Sequence, residues 1–437
     1  MEIRSVRGVQ DIFGNQAEKF QYILHRAFCE AKKYGFRHLN LPVIEFSKLY
    51  ERNLGSDSDV VSKEIYKFLD RGGEELALRP EFTAGAVRAY LEGGFWNSSA
   101  NVTRFFSSGP IFRYDRPQKG RYRQHHQINF ESFGSNNISE DVQMVLLADA
   151  ILNAIGLSGA YKIEINSLGS KDTILRYSEA LCEYFAKFKS DLSETSVRRL
   201  DDKKPLRILD SKDQNDNKIS QNAPKINEFY NDVELRRFAG IQEILTDVGI
   251  QFNVNTSLVR GLDYYTGIVF EFTTELLGSQ STILAGGRYD CLVEQIGGRN
   301  VPAIGFASGI ERLILLHDIL HSENFMPNTS QFGLFVIPIE PENIAYCIAL
   351  ANKVRQNSSD IIVQVLSNTD QKLGKRIEKA VTENQNASIV IIGKNEQSAK
   401  LAKLRNLQTG LETDIDLSNV NEVESILERN SGRALSE

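Results

Sequence analysis

The stretch RYDRPQKGRYRQHHQINFESFG, Arg113–Gly134, crowds Arg113, Arg116, Lys119, Arg121 and Arg123 together, then runs on in alternating polar and apolar residues. Pro117 and Gly120 mark the basic part as a loop, so Thr103–Tyr114 and Arg123–Ser135 read as two antiparallel strands on either side of it. Successive strand side chains point oppositely. Arg123, His125, Gln127, Asn129 and Glu131 therefore share one face, and Gln124, His126, Ile128, Phe130 and Ser132 share the other. An apolar core would not tolerate a face that is polar throughout.

The surrounding chain makes this local basic loop more pointed. In 437 residues, 51 Lys plus Arg stand against 57 Asp plus Glu, a net charge of -6. That balance excludes a general polyanion binder, because nonspecific affinity scales with the phosphates neutralised, and leaves only local nucleic-acid contact. A chain of this length that is 41% hydrophobic is expected to form two or three domains with real cores. Cys29, Cys182, Cys291 and Cys347 are scattered, without a CxxC pair, which suits reduced thiols better than disulfides or structural zinc. The N-terminus lacks a signal peptide's apolar segment and no run is long enough to span a bilayer, so the expected setting is cytosolic, away from membranes.

Outward from the hairpin, NQAEKFQYILHRAFCEAKKY (Asn15–Tyr34) has helical spacing and a stop at Gly35. FRHLNLPVIEF alternates as a strand, and Pro42 confines it to an edge, a bulge or an end. Next to a long helix, that edge offers a dimer surface. Helical character returns at Ser139–Ala154, followed by the short strand YKIEINSLG. From about residue 170 to 230 the chain turns charged and Asn-rich, which reads as a helical insertion forming a separate subdomain. Strand patterns resume in IQFNVNTSLVRGLDYYTGIVFEF and STILAGGRYD, and PAIGFASGIERLILLHDIL reads as strand, glycine turn and helix. After the linker MPNTSQ, the apolar runs FGLFVIPI, IIVQVL and ASIVIIG alternate with helical segments, as in a small α/β domain. The expected division is 1–325 and 331–437.

Arg113, Arg260 and Arg312 each stand beside an element end or a glycine. Taken singly, each reads as a solvated surface residue; converging on one pocket, their paired donors would suit a nucleoside triphosphate. No GxxxxGK[ST] loop and no GxGxxG turn is present, which disfavours a P-loop or a dinucleotide crevice. AIGFASGIERL reads either as a tight strand-helix junction or as a close backbone approach to an anion, with Arg312 in the first helical turn. Glu81, Gln127 and Glu131 offer acceptors to an amine-bearing ligand, and Tyr264, Tyr265 and Tyr289 can serve a pocket or a core. His317 and His321 have metal-capable spacing but no third ligand, and read as surface histidines; no protein metal site is assigned. No Ser-His-Asp or Cys-His arrangement supports a covalent nucleophile.

These segments together resemble the class II aminoacyl-tRNA synthetases, and within them the histidyl-tRNA synthetase family, through nearly the whole chain. FRHLNLPVIE resembles motif 1, FRYDRPQKGRYRQHHQINFESFG motif 2 and AIGFASGIERL motif 3. RGLDYYTG, GGRYD and RPQKGRYRQ are more specific and resemble the family's histidine-side signatures. The resemblance implies an α+β catalytic domain on an antiparallel sheet, carrying the helical insertion, with a C-terminal α/β anticodon-binding domain, in a homodimer. It implies activation of L-histidine by ATP with Mg2+, then transfer to the 3′ end of tRNA-His.

Residue by residue, the resemblance implies that Arg113 and Arg260 are catalytic on the α-phosphate. Arg121, His125 and Arg312 join Arg113 in binding ATP. Glu81, Thr83 and Gln127 surround the α-amino group, while Glu131, Tyr265 and Tyr289 reach the imidazole, with Tyr264 and Arg260 also on the histidine side. Arg116 and Gln118 would meet the acceptor stem. Three positions depart from the family pattern: His125 stands for a phenylalanine, Asp115 for a glutamate and Phe82 for a glycine. The alternative is a synthetase-like regulatory subunit of ATP phosphoribosyltransferase, whose members generally lack the C-terminal domain and erode the adenylation arginines.

Overall fold

The computed structural model describes residues 3–54, 64–97, 102–116, 122–260, 264–278, 281–321, 332–357, 361–384, 387–419, 421, 423 and 425–427. Gln118 and Arg121 of the basic loop, Gly261–Asp263 of RGLDYYTG and the linker at 326–331 lie outside the described residues. The chain divides into two units, Met1–Phe325 and Met326–Glu437.

In the first unit the elements follow in the order α1 (Asn15–Lys33), β1 (Arg37–His38), β2 (Ile44–Phe46), α2 (Ser47–Leu54), β3 (Lys67–Leu69), β4 (Glu75–Leu78), α3 (Thr83–Glu92), β5 (Thr103–Phe112), β6 (Gln124–Phe133), α4 (Ile138–Ala154) and β7 (Lys162–Ser167). Then come α5 (Lys171–Ala186), α6 (Glu194–Asp201), α7 (Leu206–Leu209), α8 (Gln214–Gln221), α9 (Asp232–Asp247), β8 (Asn253–Val254), β9 (Thr266–Thr273), β10 (Thr282–Arg288), α10 (Leu292–Gln295), β11 (Ala303–Gly309) and α11 (Ile310–His321).

Eight strands pair in the order β1-β5-β6-β11-β10-β9-β7-β8. The six in the middle are antiparallel, and the short β1 and β8 pair parallel at the edges. A separate small sheet runs β2-β4-β3.

The face parity read from the motif decides what lies on each side of β6. Ile128 and Phe130 enter a core shared with Ile23, Ala27 and Ala31 of α1 and Val145, Ala148 and Leu152 of α4. Phe130 stacks on Phe306 of β11 at 4.6 Å and on Phe106 of β5 at 5.1 Å; such pairs add roughly 0.5–1.5 kcal/mol each beyond area burial. Helix α4 starts where the Asn137 side chain accepts the backbone N–H of Ser139, and its Asp141 is buried in the first turn. The opposite face of β6 looks toward a second core that includes Phe133, Tyr264, Tyr265 and Tyr289.

The helical insertion does not fold as a body with its own core. Tyr177, Leu181 and Phe185 of α5 pack in the same cluster as Tyr264 and Tyr289. Its turns are knotted by Asp216, whose carboxylate accepts from the Ser193 amide at 2.9 Å and from the Ser193, Ser196 and Ser211 hydroxyls at 2.6–2.7 Å.

The second unit comprises β12 (Phe332–Pro338), α12 (Ile344–Asn357), β13 (Ile361–Val365), α13 (Leu373–Glu383), β14 (Ser388–Ile392), α14 (Lys394–Ala399), β15 (Leu401–Asn406) and β16 (Glu412–Asp416). The three apolar runs are the parallel strands of a sheet ordered β13-β12-β14-β15-β16. The two added antiparallel strands escaped the apolar-run reading because β15 buries only alternate residues, Ala402, Leu404 and Asn406, on one face.

Candidate active site

The polar face of β6 forms one wall of a cavity of about 350 Å³ in the first unit, a size typical of small-molecule sites. Strand β6 contributes His125, Gln127 and Asn129; the end of β5 leads to Arg113 and Asp115; the junction of β11 and α11 brings Gly309, Glu311 and Arg312; Arg260, Tyr264 and Tyr265 line it from before β9. Glu81, Phe82 and Thr83 stand at the start of α3. Three permanently charged guanidinium groups thus converge on one space, which sequence spacing alone left open.

Each of the arginines is held by neighbouring groups. Arg113 Nε donates to the Pro80 carbonyl at 2.9 Å, and Arg312 donates to the Thr282 carbonyl. Arg260 pairs with Glu271 and lies 5.3 Å from the Tyr265 ring centre. Its Nε is buried and finds no acceptor among the described residues. A buried donor without a partner costs about 1–3 kcal/mol, so a ligand oxygen there would relieve it.

At the carboxylate end, Glu81 accepts the backbone N–H groups of Thr83 and Ala84, capping α3 where Phe82 cannot. Burial pushes the Glu81 carboxyl up, and the amide bonds and Arg113 pull it back. The carboxylate is therefore not a surface salt-bridge partner.

Glu131 and Tyr289 do not line the cavity; both are 1% exposed. The Tyr289 hydroxyl donates to Glu131 Oε2, while Thr83 Oγ1 and Asn129 Nδ2 donate to Oε1 at 2.6 and 3.0 Å. Burial raises the Glu131 carboxyl to about 7, against the pull of those three donors. Burial also holds the Tyr264, Tyr265 and Tyr289 hydroxyls above their ordinary range. Tyr264 and Tyr265 thus line the cavity as neutral hydrogen-bonding groups, and Tyr289 stays buried behind it on Glu131.

The three departures from the family pattern have distinct settings. His125 Nδ1 is 3.1 Å from the Tyr122 carbonyl, so that nitrogen carries the proton. Burial, then the neighbouring Arg113, lowers its pKa to about 4, and a neutral imidazole faces the cavity. Asp115 lines the same wall. Phe82 lies 4.2 Å beneath the Arg79 guanidinium, which donates to the Leu41 and Pro110 carbonyls at 2.8 Å.

Other sequence candidates fall elsewhere. Arg116 is exposed, away from the cavity, with its amide on Asp115. His317 is a correction: it is 3% exposed rather than at the surface, because its position on α11 turns inward, whereas His321 is exposed and bonded to the Gly156 carbonyl. Among the described residues no group of three His, Cys, Asp or Glu could hold a metal. Cavity residues that motif reading passed over include Asn129, Thr282 and Glu311. Strand parity with Gln127 and Glu131 was the available signal for Asn129; Thr282 and Glu311 had none beyond adjacency.

Comparison with known proteins agrees with this geometry. Residues 8–313 match the family model described as histidyl-tRNA synthetase, and residues 334–426 match the anticodon binding domain. A histidine–tRNA ligase of Wolbachia pipientis wMel is 43% identical, over 96% of this chain and 98% of that protein. One from Rickettsia felis is 42% identical, over 97% and 98% respectively. The crystal structure of apo S. aureus histidyl-tRNA synthetase matches with a TM-score of 0.78 at 27% identity, covering 98% of this chain and all of that one. By its catalytic and anticodon-binding segments alike, this chain belongs to the histidyl-tRNA synthetase family.

Proposed function

We propose that the protein is a histidine–tRNA ligase. The histidine carboxylate attacks the ATP α-phosphate, forming a new P–O bond as the bond to the β-phosphate breaks and pyrophosphate leaves. A ribose hydroxyl at the 3′ end of tRNA-His then attacks the acyl carbon, and AMP departs. Both nucleophiles belong to substrates, which suits a site without a protein nucleophile.

The observation that carries this reading is that Arg113, Arg260 and Arg312 line one cavity together with Glu81, Thr83, Tyr264 and Tyr265. The guanidinium groups suit a triphosphate, and the carboxylate and hydroxyl groups suit a small amine-bearing ligand. Arg113 and Arg260 hold the α-phosphate from two sides, stabilising charge as it develops on the oxygens. Arg121 and Arg312 hold the outer phosphates, and Arg312 and the neutral His125 flank the adenine. Both Glu311 oxygens are taken by the His126 amide and ring, so Asp115 on the cavity wall is the carboxylate that would supplement the phosphate ligands of ATP-bound Mg2+. The ion would neutralise phosphate charge.

On the histidine side, Glu81, Thr83 and Gln127 receive the α-amino group, while Tyr264 and Tyr265 on the cavity wall and the Glu131–Tyr289 pair buried behind it set imidazole specificity. A site built to hydrogen-bond both ring nitrogens rejects apolar amino acids because its buried polar groups would be left unpaired. Arg116 and Gln118 contact the acceptor stem, residues 1–325 carry the chemistry and 331–437 read the anticodon. The protein works in the cytoplasm; no described helix is long and apolar enough to cross a membrane.

A homodimer is supported by the small sheet. Phe46 and Phe68 both lie opposite Leu76, and Ile44 lies opposite Leu78. Ile44, Phe46 and Phe68 are exposed on this shared face, and an exposed apolar patch of that kind marks an association surface.

The test is pyrophosphate exchange into ATP with each amino acid in turn, without tRNA. Exchange supported by histidine alone is the expected result. No exchange with any amino acid from the folded protein would favour the regulatory-subunit reading, against which the retained arginines and the C-terminal unit already weigh.

A further inference from the structure

An ion-pair network whose members do not line the cavity is left unused by the proposed chemistry. Arg288, at the end of β10, is 1% exposed. Its Nε donates to Asp141 Oδ1 at 2.7 Å, Nη1 to Asp290 Oδ1 at 2.9 Å and Nη2 to the Ser135 carbonyl at 3.0 Å. Asp141 is fully buried and takes a second bond at 2.6 Å from Arg237 of α9.

This network brackets one residue of the histidine side. Between Gly287 and Arg288 the pairing with β9 slips register, a bulge of the kind that re-aims side chains. Gly267 across that bulge has φ +57°, which favours glycine, and a Cβ there would come within a tight 3.2 Å of Arg288 Cδ. Tyr289 follows directly. Its amide donates to the Ala303 carbonyl at 2.8 Å, and Asp290 Oδ1 accepts the Ala303 amide at 3.0 Å. Both neighbours of Tyr289 are thereby fixed through one guanidinium, and its hydroxyl is delivered to Glu131.

We infer that Arg288, anchored on Asp141, is a positioning residue for histidine recognition, acting through the aim of the Tyr289 hydroxyl. It touches neither the cavity nor a reacting atom. The inference rests on the proposed role of Tyr289, buried behind the cavity wall on Glu131, in imidazole specificity.

The experiment is a double-mutant cycle in pyrophosphate exchange on the full-length protein, with Arg288→Lys, Tyr289→Phe and both together. Arg288→Lys is expected to raise KM for histidine about tenfold or more while KM for ATP changes less than about threefold. Once the hydroxyl is gone, Arg288→Lys is expected to add almost nothing, the non-additivity that marks a shared pathway. Equal fold-changes with and without the hydroxyl would overturn the coupling, as would a loss confined to ATP. An unchanged KM for histidine in Tyr289→Phe alone would instead remove Tyr289 from imidazole specificity, and the inference with it. If Arg288→Lys does not fold, Arg237→Gln, which weakens the anchor from its partly exposed end, is run through the same cycle with the same criteria.

Discussion

Replacing Gly305 with alanine adds one methyl group where β11 passes Glu131. The new Cβ would lie 1.7 Å from Glu131 Oε2 and 2.7 Å from the Phe130 carbonyl oxygen. Carbon contacts become comfortable near 3.5 Å, so the carboxylate must retreat by about 1.5 Å or more. The displaced Oε2 is the acceptor of the Tyr289 hydroxyl, and the Thr83 and Asn129 bonds to Oε1, now 2.6 and 3.0 Å, move with it, so the three cannot all survive. A hydrogen bond to a charged group contributes roughly 1.5–3 kcal/mol. The loss of one or two from the histidine side should lower kcat/KM for histidine by about 30- to 1,000-fold, the equivalent of about 2–4 kcal/mol.

The backbone carbonyl cannot move aside, so overpacking should also cost about 1–3 kcal/mol of stability. The assay is pyrophosphate exchange against histidine and ATP in turn, with thermal melting as the control. A folded Gly305→Ala protein whose kcat/KM for histidine stays within about threefold of wild type would refute the reasoning.

Arg260→Ala should lower adenylate formation at least about a thousandfold, since a positioned charge donor at the reacting phosphate acts mainly in the transition state; near-normal single-turnover rates from a folded variant would remove it from the mechanism. Glu131 has an ordinary value of 4.5 and a folded value of about 7. The folded state therefore binds the extra proton in that window, and the stabilisation it confers, complete below about pH 4.5, is lost as pH rises through 7. Denaturant melts between pH 5 and 8 should show wild-type stability falling with pH relative to Glu131→Gln, and parallel curves would contradict the burial account. His125→Phe, which keeps a flat ring, should leave KM for ATP within about threefold, whereas His125→Ala should raise it about tenfold; equal effects would count against stacking. Asp216→Ala, which strips the acceptor from three hydroxyls and an amide in the insertion, should destabilise that segment by about 2–4 kcal/mol, read as faster proteolysis within residues 170–230.

The periodic features of the chain were legible without coordinates. Helix α1, the β5–β6 hairpin and the face parity that separates Gln127, Asn129 and Glu131 from Ile128 and Phe130 follow from local rules, 3.6 residues per turn or two per strand repeat. The arginines beside element ends were visible as chemistry, though nothing local required them to meet. Strand β15 was missed because alternate burial in a polar segment leaves no apolar run. The strand read over FRHLNLPVIEF divides between β1 and β2 in different sheets, and the partners of β2 in the small sheet, β4 and β3, were missed because they are only three or four residues long.

What the sequence by itself determined was the alphabet of the site: which side chains stand on which face of β6, where guanidinium groups sit relative to strand ends, and that the family motifs are in place. Only the tertiary structure decided how deeply each group is buried and whom it meets. Glu131 and Tyr289, 158 positions apart, share a hydrogen bond because β11 lies between β6 and β10. Arg288 meets Asp141 across 147 positions, and His317 turns inward on α11. Contacts of that range depend on sheet order and packing, and desolvation depends on everything packed around a group; neither is written in the spacing of neighbouring residues.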